Sequence, residues 1–275
     1  MRLINLGCGK SFHPDWINFD CSPVHPSIVR WDVRSGIPED DTSCEAVYAS
    51  HIVEHLRRSE AGDLMRECYR ILKPGGIIRV VVPDLEVICR MYLQVLEEAV
   101  AGERNASEKY DWMILELYDQ FVREEPGGEM AKYLQRGLLP NHEFIVSRIG
   151  ENATNFNDAG TGGTAPTSSV PRAQTWIRSM AGAVRQKLLS LFLRPSEKQV
   201  LKIAKFRYSG ELHYWMYDRF SLAQLLLRSG FQEPVKRDAK ESSIPGWQDF
   251  HLDILENGTV RKPDSLFMEA IRKSY

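Results

Sequence analysis

Three apolar runs near the N-terminus end in residues that could do chemistry. Leu3-Ile4-Asn5-Leu6 reads as a short buried strand and stops at Gly7-Cys8-Gly9. A glycine pair directly after a buried strand lets the backbone turn sharply and approach a ligand where a Cβ would collide. The run Trp16 to Asp20 ends in an acid, and so does Ser27 to Asp32, with Val33 behind it. A carboxylate at a strand end after such a turn can accept both hydroxyls of a ribose, which suits Asp20; Asp32 and Val33 then suit a purine. Glycines, acid, acid on successive strand ends describe a nucleoside site at the carboxyl edge of a parallel sheet. A dinucleotide site needs a third glycine opening a helix at the pyrophosphate. Position 12 is Phe, and Lys10 to Pro14 does not open a helix.

A fourth run, Ala46 to Ala49, leads to Ser50 and His51, with Glu54 and His55 just beyond. A histidine titrates near neutrality, so His51 is the first candidate for a base that takes a proton from an acceptor. The other reading is a buried histidine bonded to backbone. Glu54 is a substrate contact or a packing residue. Asp84 follows the fifth strand, where it could assist catalysis or simply cap a helix. His213, a further catalytic candidate, and Tyr217 belong to an aromatic, ionisable stretch that is either a substrate-pocket wall or core. Tyr118, Gln120 and Arg123 precede a Gly127-Gly128 turn and read as acceptor-binding groups on a lid. No metal site is expected: the seven histidines are dispersed, and His51 with His55 has the commoner explanation just given.

The elements that must hold these residues follow from periodicity. Short apolar runs alternate with helical patterns over residues 1–90, the signature of a parallel sheet with crossover helices. Residues 59–72 place apolar side chains at helical spacing, and Lys73-Pro74-Gly75-Gly76 stops that helix. Ile77 to Val82 reads as a strand buried on both faces. Residues 91–205 read as a helical insertion or lid, with a flexible Gly/Ser/Thr-rich loop near 155–175. Its last part, 176–205, is basic and amphipathic: a solvated helix face, a contact for an anionic membrane, or a phosphate-binding surface. Residues 206–275 return to the core, with a helix over 221–228 closed at Gly230. The last two strands are expected at Pro234–Arg237 and Asp249–Asp253.

Composition sets the class. The chain has 275 residues, 43% hydrophobic and 26% charged, with a formal net charge of -2. That balance argues against a nucleic-acid-binding surface, which needs a basic excess. No apolar run reaches the roughly 20 residues of a membrane span. Five scattered cysteines without a C-x-x-C pair suit reduced thiols and a cytoplasmic protein. The N-terminus has no signal-peptide pattern.

Leu6-Gly7-Cys8-Gly9, Asp20 and Asp32, then His51-Ile52-Val53-Glu54-His55-Leu56 and Arg70-Ile71-Leu72-Lys73-Pro74-Gly75-Gly76, together resemble the class I S-adenosylmethionine-dependent methyltransferases of the methyltransferase type 11 group. The resemblance covers residues 1–90 and, more loosely, 213–255. It implies a doubly wound, Rossmann-like α/β fold with a seven-stranded, mostly parallel sheet whose last strand is antiparallel. It also implies S-adenosylmethionine as cofactor, with Leu6, Gly7, Cys8 and Gly9 at its methionine end. Asp20 would take the ribose, Asp32 and Val33 the adenine, and Ser50 and His51 would lie nearby. One departure stands out: Gly7 and Asp20 are too close for the usual crossover helix, which would be cut to a turn and would bring His13 over the cofactor. The expected reaction is methylation of a small-molecule acceptor, most simply O-methylation of a sugar or surface-glycan precursor. A natural-product or lipid acceptor methylated at O, N or C stays open, as does a catalytically silent cofactor-binding scaffold.

Overall fold

The computed structural model describes residues 1–150, 153 and 193–274. Seven strands form one sheet in the order β3-β2-β1-β4-β5-β7-β6. They are β1 (Leu3–Leu6), β2 (Ile17–Asp20), β3 (Ile28–Arg30), β4 (Cys44–Ser50), β5 (Leu72–Pro83), β6 (Gln232–Arg237) and β7 (Ser265–Ile271). β1 to β5 run parallel, and β7 inserts antiparallel between β5 and β6. This is the expected class I arrangement. Among the described residues, no helix is long and apolar enough to cross a membrane.

Side-chain alternation splits the sheet into two covered faces. Ile4, Leu6, Val47, Ala49, Val80, Val82 and Met268 pack in one core with residues of helices α1 (Arg58–Ile71) and α7 (Arg219–Arg228). Leu3, Tyr48, Val81 and Phe267 belong to the opposite core, built with Trp16, Trp247, Leu252 and Ile254. A non-helical tail segment therefore covers much of the face where crossover helices would normally lie.

The reason is visible between β1 and β2. No helix forms there, as the short spacing requires. Buried strand asparagines serve the turn's carbonyls instead: Asn5 Nδ2 donates to the carbonyl of Ser11 at 3.0 Å, and Asn18 Nδ2 donates to those of His13 and Trp16. Asn5 Nδ2 also donates to Asn18 Oδ1, locking the two strands together.

Two strand expectations change. β5 begins at Leu72, so the Lys73-to-Gly76 turn that ends α1 is itself carried into the strand, with a register irregularity against β4. The final strand is Ser265–Ile271 rather than Asp249–Asp253. Residues Trp247–Phe250 form a 3-10 turn, and Asp253 is drawn out of any ladder by ion pairing to Arg79, at 2.8 Å. Ser265 to Ala270 is buried throughout, as a strand between two neighbours must be.

The helices that follow β5 make a separate core. α2 (Leu85–Val100), α3 (Ala106–Val122), α4 (Gly128–Leu134) and α5 (His142–Ile149) gather Ile88, Val95, Trp112, Met113, Tyr133 and Ile145. A buried Glu116–Arg148 pair at 2.7 Å ties α3 to α5. α6 (Pro195–Arg207) buries no residue. The expected loop at 155–175 and most of the basic segment 176–205 lie outside the described residues.

Candidate active site

The carboxyl ends of β1, β2 and β4 converge on two cavities. One, of about 240 Å³, is lined by residues that include Gly7, Asp20, Trp31, Asp32, Val33, Ile52 and His55. The other, of about 270 Å³, is lined by residues that include Asn5, Cys8, Gly9, Lys10, Ser11, Ser50 and Asp253. Gly7 and His51 line both.

The glycine turn is shaped for close approach. Gly7 and Gly9 have φ of +60° and +52°. A Cβ on Gly7 would stand 2.7 Å from Ile52 Cδ1, whereas one on Gly9 would project into open space. Asp20 is fixed beneath the turn by the Gly9 N–H at 2.8 Å and the Ser22 N–H at 2.7 Å. Each of its oxygens keeps a further lone pair. Asp32 caps the 3-10 turn Val33–Ser35 and takes the Arg34 guanidinium on both oxygens. Hydrogen bonding from Arg34 holds the Asp32 carboxyl below its usual range. The residues fit a nucleoside with an amino-acid tail: a cradle that a Cβ would fill at Gly9, a fixed acid at Asp20, and an aromatic and apolar wall at Trp31 and Val33. Asn5 Oδ1, on the wall of the second cavity, is buried without a partner.

His51 stands where the two cavities meet. Its φ of +52° is a left-handed conformation that costs a non-glycine residue about 1–3 kcal/mol. Its N–H bonds to the Val81 carbonyl at 2.8 Å, Nδ1 lies 3.0 Å from Glu54 Oε1, and Nε2 lies 3.0 Å from Ser265 Oγ. Burial, aided by the positive charge of Lys262, lowers the His51 pKa to about 4, so the imidazole is neutral near pH 7.

Glu54 sits in the 3-10 turn Val53–His55 and is fully buried. His51 Nδ1 stands 3.0 Å from Oε1; beyond that contact neither carboxylate oxygen has a hydrogen-bond partner. Its backbone carbonyl accepts from the Tyr214 and Trp215 N–H groups. These bonds bring His213 beside it, although 158 residues separate His213 from His55. The His55 and His213 rings meet edge to face at 4.6 Å. Burial pulls the His213 pKa down to about 3. Donor atoms of Glu54, His55 and His213 all lie within 4.8 Å of one another. A search for close histidine pairs could not see this cluster, because its third member arrives from the far end of the chain.

Of the remaining sequence candidates, Cys8 lines the second cavity and the others are on the wall of neither. Leu6 is core behind the turn. Cys8 is buried with its thiol against the Gly9 carbonyl, and burial raises its pKa to about 12. His13 packs edge to face on Phe250 and takes the Asp15 N–H on Nδ1; it is not on the wall of either cavity, because the short crossover folds it toward the tail. Asp84 is a helix cap: it accepts the Glu86 and Val87 N–H groups and pairs with Lys236 at 3.0 Å. Tyr217 is core behind the site, its hydroxyl pKa raised to about 12 by burial. Tyr118 is exposed on α3. Arg123 is tied to Asp119 at 2.7 Å, and Asp119 in turn accepts the Glu129 N–H at the glycine turn. Of this lid group, Gln120 reaches the site through its backbone, whose carbonyl accepts the His213 N–H.

The sequence reading also missed Tyr48, Asp253 and Ser265. The available signal was Arg79, a cation within a buried strand, which requires buried carboxylates elsewhere in the chain.

Residues 17–80 match the family model described as "Methyltransferase domain". The match falls on the β2-to-β5 part of a sheet whose strand order is that of the class I S-adenosylmethionine-dependent methyltransferases, so the chain carries a segment similar to that family on a fold of that class. A probable S-adenosylmethionine-dependent methyltransferase of Mycolicibacterium smegmatis is 27% identical over 99 residues, 30% of this chain and 38% of its own length. The chain thus matches under two fifths of the length of that curated relative. Among solved structures, a Listeria monocytogenes putative S-adenosylmethionine-dependent methyltransferase shares 12% identity. It covers 99% of this chain and 91% of its own, at a TM-score of 0.38. A Thermotoga maritima methyltransferase, titled a possible histamine N-methyltransferase, shares 11% identity over 99% of this chain and 82% of its own, at 0.36.

Proposed function

We propose that this methyltransferase moves a methyl group from S-adenosylmethionine to a hydroxyl of a polar small molecule, a sugar or surface-glycan precursor. The observation that carries this reading is the placement of His51, held neutral and oriented on the boundary between the two cavities. When bound, the cofactor supplies the electrophilic methyl group. Gly7 and Gly9 admit its amino-acid end, Asp20 holds the ribose, and Asp32 and Val33 border the base. His51 takes the acceptor proton at Nε2, where Ser265 Oγ now stands, while Nδ1 faces Glu54. Such proton transfer is worth about 10²–10⁴-fold in rate; the rest is alignment and exclusion of water.

The second cavity mixes polar groups with the apolar side chains of Val81, Leu252 and Phe267, and the polar groups support a sugar acceptor. Lys10, Ser11, Ser50, Asp253, Arg261 and Lys262 lie on its wall. A labelled-methyl screen over nucleotide sugars, oligosaccharides, phenols and lipids tests the reading. Label entering sugar hydroxyls supports it; turnover confined to apolar acceptors refutes the substrate class. Cofactor binding with no turnover, unchanged by His51→Asn, would make the chain a silent scaffold.

A further inference from the structure

We propose that Glu54, His55 and His213 form a binding site for one divalent transition-metal ion of the zinc type, beside the methyl-transfer site. The donor set is the first support. Two imidazoles and a carboxylate are the three-protein-ligand pattern that leaves a fourth position open to water or substrate.

Geometry is the second. A tetrahedral zinc about 2.1 Å from each donor separates its donors by about 3.4 Å. The three groups, already within 4.8 Å of one another, need to close by little over an ångström. His55 is oriented for this. Its Nδ1 lies 3.0 Å from the Leu212 carbonyl, which can only accept, so Nδ1 carries the proton and Nε2 keeps the lone pair. A histidine ligand steadied by a backbone carbonyl on its other nitrogen is the usual second layer of a metal site.

The third support is Glu54 itself, a fully buried carboxylate whose oxygens have no hydrogen-bond partner beyond the His51 contact. A buried polar group left in that state calls for a partner. Backbone bonds from His213 to Gln120 and from Tyr214 to Glu54 hold the distant histidine in place. His55 also lines the first cavity, so the open coordination position is reachable from the site. On the methyltransferase reading, an ion there would lower the pKa of an acceptor hydroxyl and orient it. Binding of the ion does not depend on that reading.

Cobalt(II) is a direct probe. The full chain, stripped with chelator and titrated with cobalt, should take up one equivalent and show the intense visible bands of a four-coordinate site, displaced by zinc. His213→Ala and Glu54→Gln should each weaken uptake by more than about tenfold. His213→Cys should bind cobalt and add a thiolate-to-metal charge-transfer band, a signature that a merely structural His213 would not give. Absence of cobalt bands in the wild-type chain, or bands unchanged in both H213A and E54Q, would overturn the proposal. S-adenosylhomocysteine binding by the same preparations is the separate control. Its absence from a wild-type chain that shows the cobalt bands would refute the methyltransferase reading and leave the metal site standing.

Discussion

Arg79 and Glu54 are both charged residues without solvent exposure, and their surroundings differ in one respect. Arg79 donates to Asp253 at 2.8 Å, to Glu269 at 2.9 Å and to the carbonyls of Asp238 and Glu241. Its guanidinium lies 4.5 Å over the Trp247 ring. Tyr48 closes the group by donating to the second oxygen of Asp253. Arg79, Asp253, Glu269 and Tyr48 all have their polar atoms matched. Glu54 lies among His51, His55 and His213 with its oxygens unmatched. A saturated buried network has its donors and acceptors committed to holding structure, even where Tyr48 and Asp253 border a cavity. An unsaturated one at the edge of a cavity retains the capacity to bind, orient and exchange protons.

Breaking each cluster should therefore have opposite signatures. The largest effect on stability is expected at Arg79. Arg79→Leu removes the cation paired with buried Asp253, whereas Glu269 keeps Arg237 and the Ser243 N–H; the expected cost is about 3–5 kcal/mol in urea unfolding. A loss below about 1 kcal/mol would erase the distinction between the clusters. At the other cluster, His51→Asn keeps a residue that tolerates left-handed backbone and removes the proposed base. Methyl transfer should fall at least about 100-fold while the unfolding midpoint stays close to wild type. Equal losses of stability in both variants would show that His51 is structural.

Two smaller effects sharpen the boundary of the site. Asp84→Ala should cost about 1 kcal/mol through its helix cap and leave the S-adenosylhomocysteine Kd unchanged; a weakened Kd would return Asp84 to the site. His13→Ala should stay within about 0.5 kcal/mol in stability, again with unchanged Kd. Calorimetry on the two variants separates these outcomes.

The same contrast explains what the sequence revealed. Leu3 to Leu6, Gly7, Gly9, Asp20 and Asp32 act through local geometry, a strand followed by a turn or an acid, and their places could be read from short windows. So could α1 and the loss of a helix between β1 and β2. Asp253 joins the site through side-chain bonds to Arg79 and Tyr48, Ser265 through the pairing of β7 with β5, and His213 through its own bond to Gln120 and its neighbour Tyr214's bond to Glu54. No local pattern encodes those contacts. The final strand lies elsewhere for a related reason: Asp249 to Asp253 looks like a strand, but the Asp253 carboxylate pairs with Arg79.

Titration of the intact chain with S-adenosylhomocysteine by isothermal calorimetry tests the central claim most directly. The predicted result is saturable one-to-one binding, weakened in Asp20→Ala by about 10–100-fold, the loss expected for hydrogen bonds to a charged group. No binding heat at millimolar ligand, or affinity indifferent to Asp20, would contradict the assignment of this strand-end constellation to the cofactor.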